Sequence, residues 1–206
     1  MTAIKICGIT RTQDALAAAG CGANAIGLVF YAKSPRCVTP ERAAELMRVL
    51  PPFVMSVGLF VDAVAREVTQ TLAQARVDLL QFHGHESPVY CRQFGVPYLK
   101  ALRVKPGLDL LQYARDYHDA KALLLDAYVE GTHGGTGATF DWALIPKNLP
   151  LPVVLSGGLT PENITAAIQA VRPWAVDVSS GVELQKGVKD AAKIAAFVTG
   201  VRNADV

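Results

Sequence analysis

No apolar run in this chain of 206 residues approaches the roughly 18 that a membrane-spanning helix needs, so a membrane is not an expected partner. Cysteine is sparse. Cys7, Cys21, Cys37 and Cys91 lie far apart, and none forms a CxxC or a cysteine–histidine pair at metal-ligand spacing, so no metal is expected. Charge is low as well, at 18% of residues with a net value of +2, and the basic residues are scattered. That leaves no footprint for nucleic acid, although an anionic small molecule needs only a few donors. No low-complexity tract or linker interrupts the chain. Its start leads straight into a strand pattern with no basic-then-apolar leader, so a reducing cytoplasm with free thiols is the expected compartment.

What the chain has is apolar mass, 51% hydrophobic residues, enough for one full-sized α/β core spanning residues 1–206 as a single domain. Short runs rich in Val, Ile, Leu and Phe recur at 4–7, 25–30, 53–61, 79–82, 98–104, 123–126, 153–156 and 176–179. They are apolar on both faces, as strands covered on both sides of a parallel sheet are. Amphipathic stretches separate them at 13–20, 41–50, 64–75, 88–94, 108–118, 161–171 and 190–201, with a short, weaker helix pattern at 140–145. Thr39-Pro40 and Thr160-Pro161 read as helix starts. Eight β/α units at this spacing predict a closed (β/α)8 TIM barrel. An open dinucleotide-binding sheet would carry GxGxxG after its first strand, where this chain has Cys7-Gly8-Ile9-Thr10.

Barrel chemistry sits at the C-terminal ends of the strands. Those ends carry Cys7, Ser34-Pro35-Arg36, Gln81 and His83, Arg103, Asp126, Ser156-Gly157-Gly158 and Ser179-Ser180-Gly181. Cys7 reads as a small buried hydrophobe or as a thiolate base whose ionised fraction nearby N–H dipoles raise. Gly157-Gly158 and Ser180-Gly181 follow the last two strands, where barrels commonly bind phosphate; the alternative is a pair of ordinary tight turns. Asp126 closes Leu123-Leu124-Leu125 at the rim, a place for a general acid. Arg36 pairs either with a substrate carboxylate or in a surface salt bridge. His83 either touches substrate or bonds a loop carbonyl. The glycine-rich loop 131–137 reads as a cover over substrate or as a plain surface loop. In a ring of eight strands, strands one and six flank the seven–eight pair. An acid and a base on either side of a phosphate suit a cofactor-free sugar-phosphate isomerisation.

Taken in order, the motifs Lys5-Ile6-Cys7-Gly8-Ile9-Thr10, Ser34-Pro35-Arg36, Gln81-Phe82-His83-Gly84, Leu125-Asp126-Ala127, Leu155-Ser156-Gly157-Gly158-Leu159 and Asp177-Val178-Ser179-Ser180-Gly181-Val182-Glu183 resemble the phosphoribosylanthranilate isomerase family of tryptophan biosynthesis. The resemblance covers nearly the whole chain. It implies an Amadori rearrangement of N-(5-phosphoribosyl)anthranilate to 1-(2-carboxyphenylamino)-1-deoxyribulose 5-phosphate, without a cofactor, by a monomer or homodimer. It implies Asp126 as the acid on the furanose oxygen and Cys7 as the base at C2′. It further implies Arg36 near the anthranilate, Gly157, Gly158, Ser180 and Gly181 at the phosphate, and His83 in support. Ser156 and Lys186 stand where family members often have Ala and Pro, away from the implied chemistry. Two other readings are a metal-dependent sugar-phosphate epimerase, which needs more His and Asp at strand ends, and a non-catalytic phosphometabolite-binding barrel, which needs neither Cys7 nor Asp126.

Overall fold

The computed structural model describes residues 1–127 and 141–205. Its strands are β1 (Ala3–Cys7), β2 (Ala25–Val29), β3 (Met55–Phe60), β4 (Leu79–Phe82), β5 (Tyr98–Val104), β6 (Ala122–Ala127), β7 (Val153–Leu155) and β8 (Ala175–Val178). They form a closed parallel barrel in sequence order, sealed where β1 pairs with β8. Outside it run α1 (Thr12–Gly20), α2 (Pro40–Arg48), α3 (Ala65–Gln74), α4 (Pro88–Arg92), α5 (Leu110–Asp116), α6 (Ile164–Val171) and α7 (Ala191–Ala204). A small hairpin of β9 (Glu183–Gln185) and β10 (Val188–Lys189) follows β8.

Strand alternation separates two interiors. Ile4 and Ile6 pack with Ala15, Ala18, Phe197 and Val201 in the layer between barrel and helices. Lys5 and Cys7, one residue out of phase, therefore point into the barrel. Leu99, Ala101, Ala122, Leu124 and Val154 pack together as part of the barrel filling. Cys7, Val29, Leu59 and Val61 form an apolar group at the C-terminal end. Each large aliphatic side chain fully buried this way contributes on the order of 2 kcal/mol, and that burial holds the ring closed.

The helix starts follow local chemistry. Thr39 caps α2, its hydroxyl accepting from the Arg42 N–H at 3.2 Å with Pro40 in the first turn. Ser87-Pro88 opens α4 the same way. Two expectations need correction. Thr160-Pro161 does not begin α6, which starts at Ile164. Asn163 instead closes a turn, accepting from the Thr160 N–H at 2.9 Å and donating to the Gly158 carbonyl at 2.8 Å. The sixth unit is also not a full helix: among the described residues it holds one 3-10 turn, Trp142–Leu144, capped by Asp141. Pro146 disfavours helical backbone at Ile145, which is extended (φ −85, ψ 114), and ends the turn there. Phe140 and the loop 131–137 lie outside the described residues.

Candidate active site

A cavity of about 700 Å³, counting its open mouth, lies at the C-terminal end of the barrel. Cys7, Arg36, His83, Asp126, Gly157, Gly158 and Ser180 all line it. Gly181, also expected at the site, does not line it. A Cβ on Gly181 would lie only 1.9 Å from the Leu159 carbonyl oxygen, so a bare glycine lets the loop after β8 close against the loop after β7. Gly157 and Gly158 have φ of +86 and +63, left-handed backbone that curls the β7 loop over the cavity.

Cys7 ends β1 opposite Gly27 of β2. A Cβ at Gly27 would lie 2.6 Å from the Cys7 sulfur, so this glycine is the space the thiol occupies. Contrary to the expectation that nearby N–H dipoles raise the ionised fraction, burial pushes Cys7 upward. The positive charges of Lys5 and Lys189 oppose the rise without cancelling it. Lys5, on the same inward face, pairs with Asp177 of β8 at 2.8 Å, both side chains 6% exposed.

Arg36 is not in a surface salt bridge. Its Nε and Nη2 fork onto Glu183 at 2.8 and 2.7 Å in a buried pair, and this holds the guanidinium at the cavity wall. The stem of Arg36 crosses Gly8, where a Cβ would meet the Arg36 Cδ at 2.4 Å. Glu183 accepts a third bond from Lys189 at 2.8 Å, and Lys189 also donates to the Ser179 carbonyl at 3.0 Å. Burial alone would raise Glu183, but the hydrogen bonds from Arg36 and the charge of Lys189 bring it below the ordinary carboxyl value.

Asp126 is buried on the far side of the β7–β8 pair from Cys7. His83 Nε2 lies 3.2 Å from Asp126 Oδ2, and His83 Nδ1 lies 3.0 Å from Gln81 Nε2. His83 thus bridges the Gln81 amide and the Asp126 carboxyl group through its two ring nitrogens. The strand end carrying His83 is tied down below: Lys100 pairs with Glu86 at 2.8 Å and donates to the Gly84 carbonyl at 2.7 Å. Sequence reasoning gave no role to Lys5, Gln81, Asp177 or Lys189. A charged or amide residue inside an otherwise apolar strand was the available signal. Among the described residues no group of His, Cys, Asp and Glu is arranged to hold a metal ion.

Residues 4–200 match the family model for N-(5'phosphoribosyl)anthranilate (PRA) isomerase. The N-(5'-phosphoribosyl)anthranilate isomerase of Nitrosospira multiformis is 60% identical over 198 residues, 96% of this chain and 95% of that one. The crystal structure of phosphoribosyl anthranilate isomerase from Thermotoga maritima superposes with a TM-score of 0.91 at 40% identity, over 98% of this chain and all of the other (100%). A PRAI structure in complex with reduced 1-(o-carboxyphenylamino)-1-deoxyribulose 5-phosphate matches at TM-score 0.86 and 39% identity, over 98% of this chain and 100% of that one.

Proposed function

The chain belongs to the N-(5'-phosphoribosyl)anthranilate isomerase family and is an isomerase of tryptophan biosynthesis, and we propose that Cys7 and Asp126 carry its two proton transfers. The observation that supports this reading most is that both line one cavity, with the glycine turns after β7 and β8 between them. Bound there, the substrate's phosphate takes N–H bonds from the Gly157, Gly158, Ser180 and Gly181 turns. Asp126 delivers a proton to the furanose ring oxygen as the C1′–O bond breaks, and the anthranilate nitrogen and C1′ become an iminium. His83 holds the Asp126 carboxyl in position. The Cys7 thiolate then removes the C2′ proton; the C–H electrons form the C1′=C2′ bond and neutralise the iminium. The resulting enol relaxes to the ketone. Arg36 presents Nη1 to the anthranilate carboxylate, its other nitrogens being taken by Glu183.

The test is the loss of substrate fluorescence in Cys7→Ser and Asp126→Asn. Each is expected to lower kcat by about 10²–10⁴-fold, the range of a lost general acid or base, with substrate still bound. Near-normal turnover in either variant removes the role assigned to that residue.

For assembly, we propose a homodimer through the N-terminal rim. Phe53 is fully exposed at φ +70, Met55 stands exposed at the start of β3, and Trp174 stands exposed just before β8. The phosphoribosylanthranilate isomerase of Thermotoga maritima, 37% identical to this chain in a structure of its generated monomers, is dimeric, which favours a second copy as the cover for these side chains. Phe53→Glu is expected to yield monomers by light scattering; a wild-type chain that is monomeric at micromolar concentration refutes this.

A further inference from the structure

Lys5 and Asp177 stand where a barrel normally packs branched apolar side chains. Both are buried, directly opposed in the β1–β8 register, and joined at 2.8 Å. Such a pair is weak support for stability, since well-packed apolar residues serve as well or better. Its position offers another use. Lys5 precedes Cys7 by two residues on the same inward face, so its charge acts on the Cys7 thiol as well as on Asp177. Asp177 lines the catalytic cavity with Cys7 and is steadied by Ser156, whose hydroxyl lies 3.5 Å from Oδ2.

The charged groups around the sulfur come from four elements. They are Lys5 on β1, Asp177 on β8, Lys189 on β10 and Arg36 after β2, the last two sharing Glu183. Lys5 and Lys189 favour a negative sulfur, and Asp177 opposes it.

We propose that Lys5 is a positioning residue for the proton-abstracting thiol: its ammonium, pinned by Asp177 on the same inward face of the barrel, stabilises the negative charge that the Cys7 sulfur carries when it gives up its proton. This rests on the reading of Cys7 as the base. The two partners act with opposite signs. Lys5 pulls the thiol's ionisation down against burial, and the Asp177 carboxylate pushes it up.

The experiment measures the iodoacetamide labelling rate of Cys7 against pH, resolved by peptide mass spectrometry in the full chain, together with the pH profile of kcat. Lys5→Met is expected to move the labelling midpoint up and slow labelling at pH 7 by about tenfold or more, the change one pKa unit makes. The ascending limb of kcat moves with it. Asp177→Asn is expected to move the midpoint down and speed labelling. The double variant Lys5→Met/Asp177→Asn keeps the barrel interior neutral even if the single Lys5 change does not fold, and its midpoint is expected above that of wild type. Midpoints that shift in the same direction for both single changes overturn the proposal. So does an unmoved midpoint in the folded double variant. Turnover that survives Cys7→Ser overturns the role of Cys7 instead, a failure visible separately from the labelling midpoints.

Discussion

Replacing Glu183 with Gln tests the architecture of the cavity wall. The Glu183 carboxylate accepts from Arg36 at 2.8 and 2.7 Å and from Lys189 at 2.8 Å, and its side chain is only 5% exposed. Lys189 is 0% exposed and Arg36 11%, so neither cation can turn to water. The amide removes the negative charge that the two cations share and points N–H donors at N–H donors. Breaking a buried ion pair from one side costs about 3–5 kcal/mol. In a chain of this size each kcal/mol moves Tm by roughly 2–4 °C, so a drop of about 6–20 °C is expected at pH 7.

The pH dependence carries a sign. Glu183 lies below its ordinary value of 4.5 in the folded state. Its contribution is therefore present above that value and is lost as pH falls through the folded one. The gap between wild type and Glu183→Gln should be full at pH 7 and shrink below about pH 4. Lys189, which burial already pushes down, sheds its proton more readily once its anion is gone. The folded variant then binds fewer protons than the unfolded chain, and its stability should climb between pH 7 and 9 more steeply than that of wild type. Calorimetry from pH 3.5 to 9 checks both trends. A loss under about 1 kcal/mol at pH 7, or a gap that stays constant down to pH 3.5, refutes the reasoning.

Other perturbations read the cavity directly. Gly27→Ala places a methyl 2.6 Å from the Cys7 sulfur and 3.0 Å from its Cα, so kcat should fall by about 10²-fold with KM nearly unchanged, measured by steady-state kinetics. Normal kcat there means the sulfur does not lie over Gly27 during turnover. Gly181→Ala puts a methyl 1.9 Å from a backbone oxygen of the β7 loop, which must move. Inhibition by inorganic phosphate should weaken by at least about tenfold, the equivalent of one charged hydrogen bond; unchanged inhibition separates the two loops from phosphate binding.

The strand pattern was open to reading because buried parallel strands announce themselves as short two-sided apolar runs. The observed limits of β4 and β5 are those of runs 79–82 and 98–104. The caps of α2 and α4 were equally local, a hydroxyl and a proline in adjacent positions. The start of α6 was misjudged because Asn163 competes for the turn, and the short helix expected at 140–145 is a single 3-10 turn because Pro146, two residues beyond Leu144, ends it. At the site, Cys7, His83, Asp126 and the glycine turns could be located because they sit at strand ends, which the repeat itself marks.

By itself, then, the sequence determined the repeat, the strand ends and the family, since each depends on neighbours within one β/α unit. Ring closure decided the partnerships. Lys5 meets Asp177 across 172 residues, and Arg36 meets Glu183 across 147, because β1 closes on β8 and the following hairpin folds back beside it. It also settled that Cys7 is buried, so that its ionisation depends on charges the local chain does not carry. A charge inside an apolar strand is visible in one dimension, but its partner, and therefore its effect on the thiol, exists only in three.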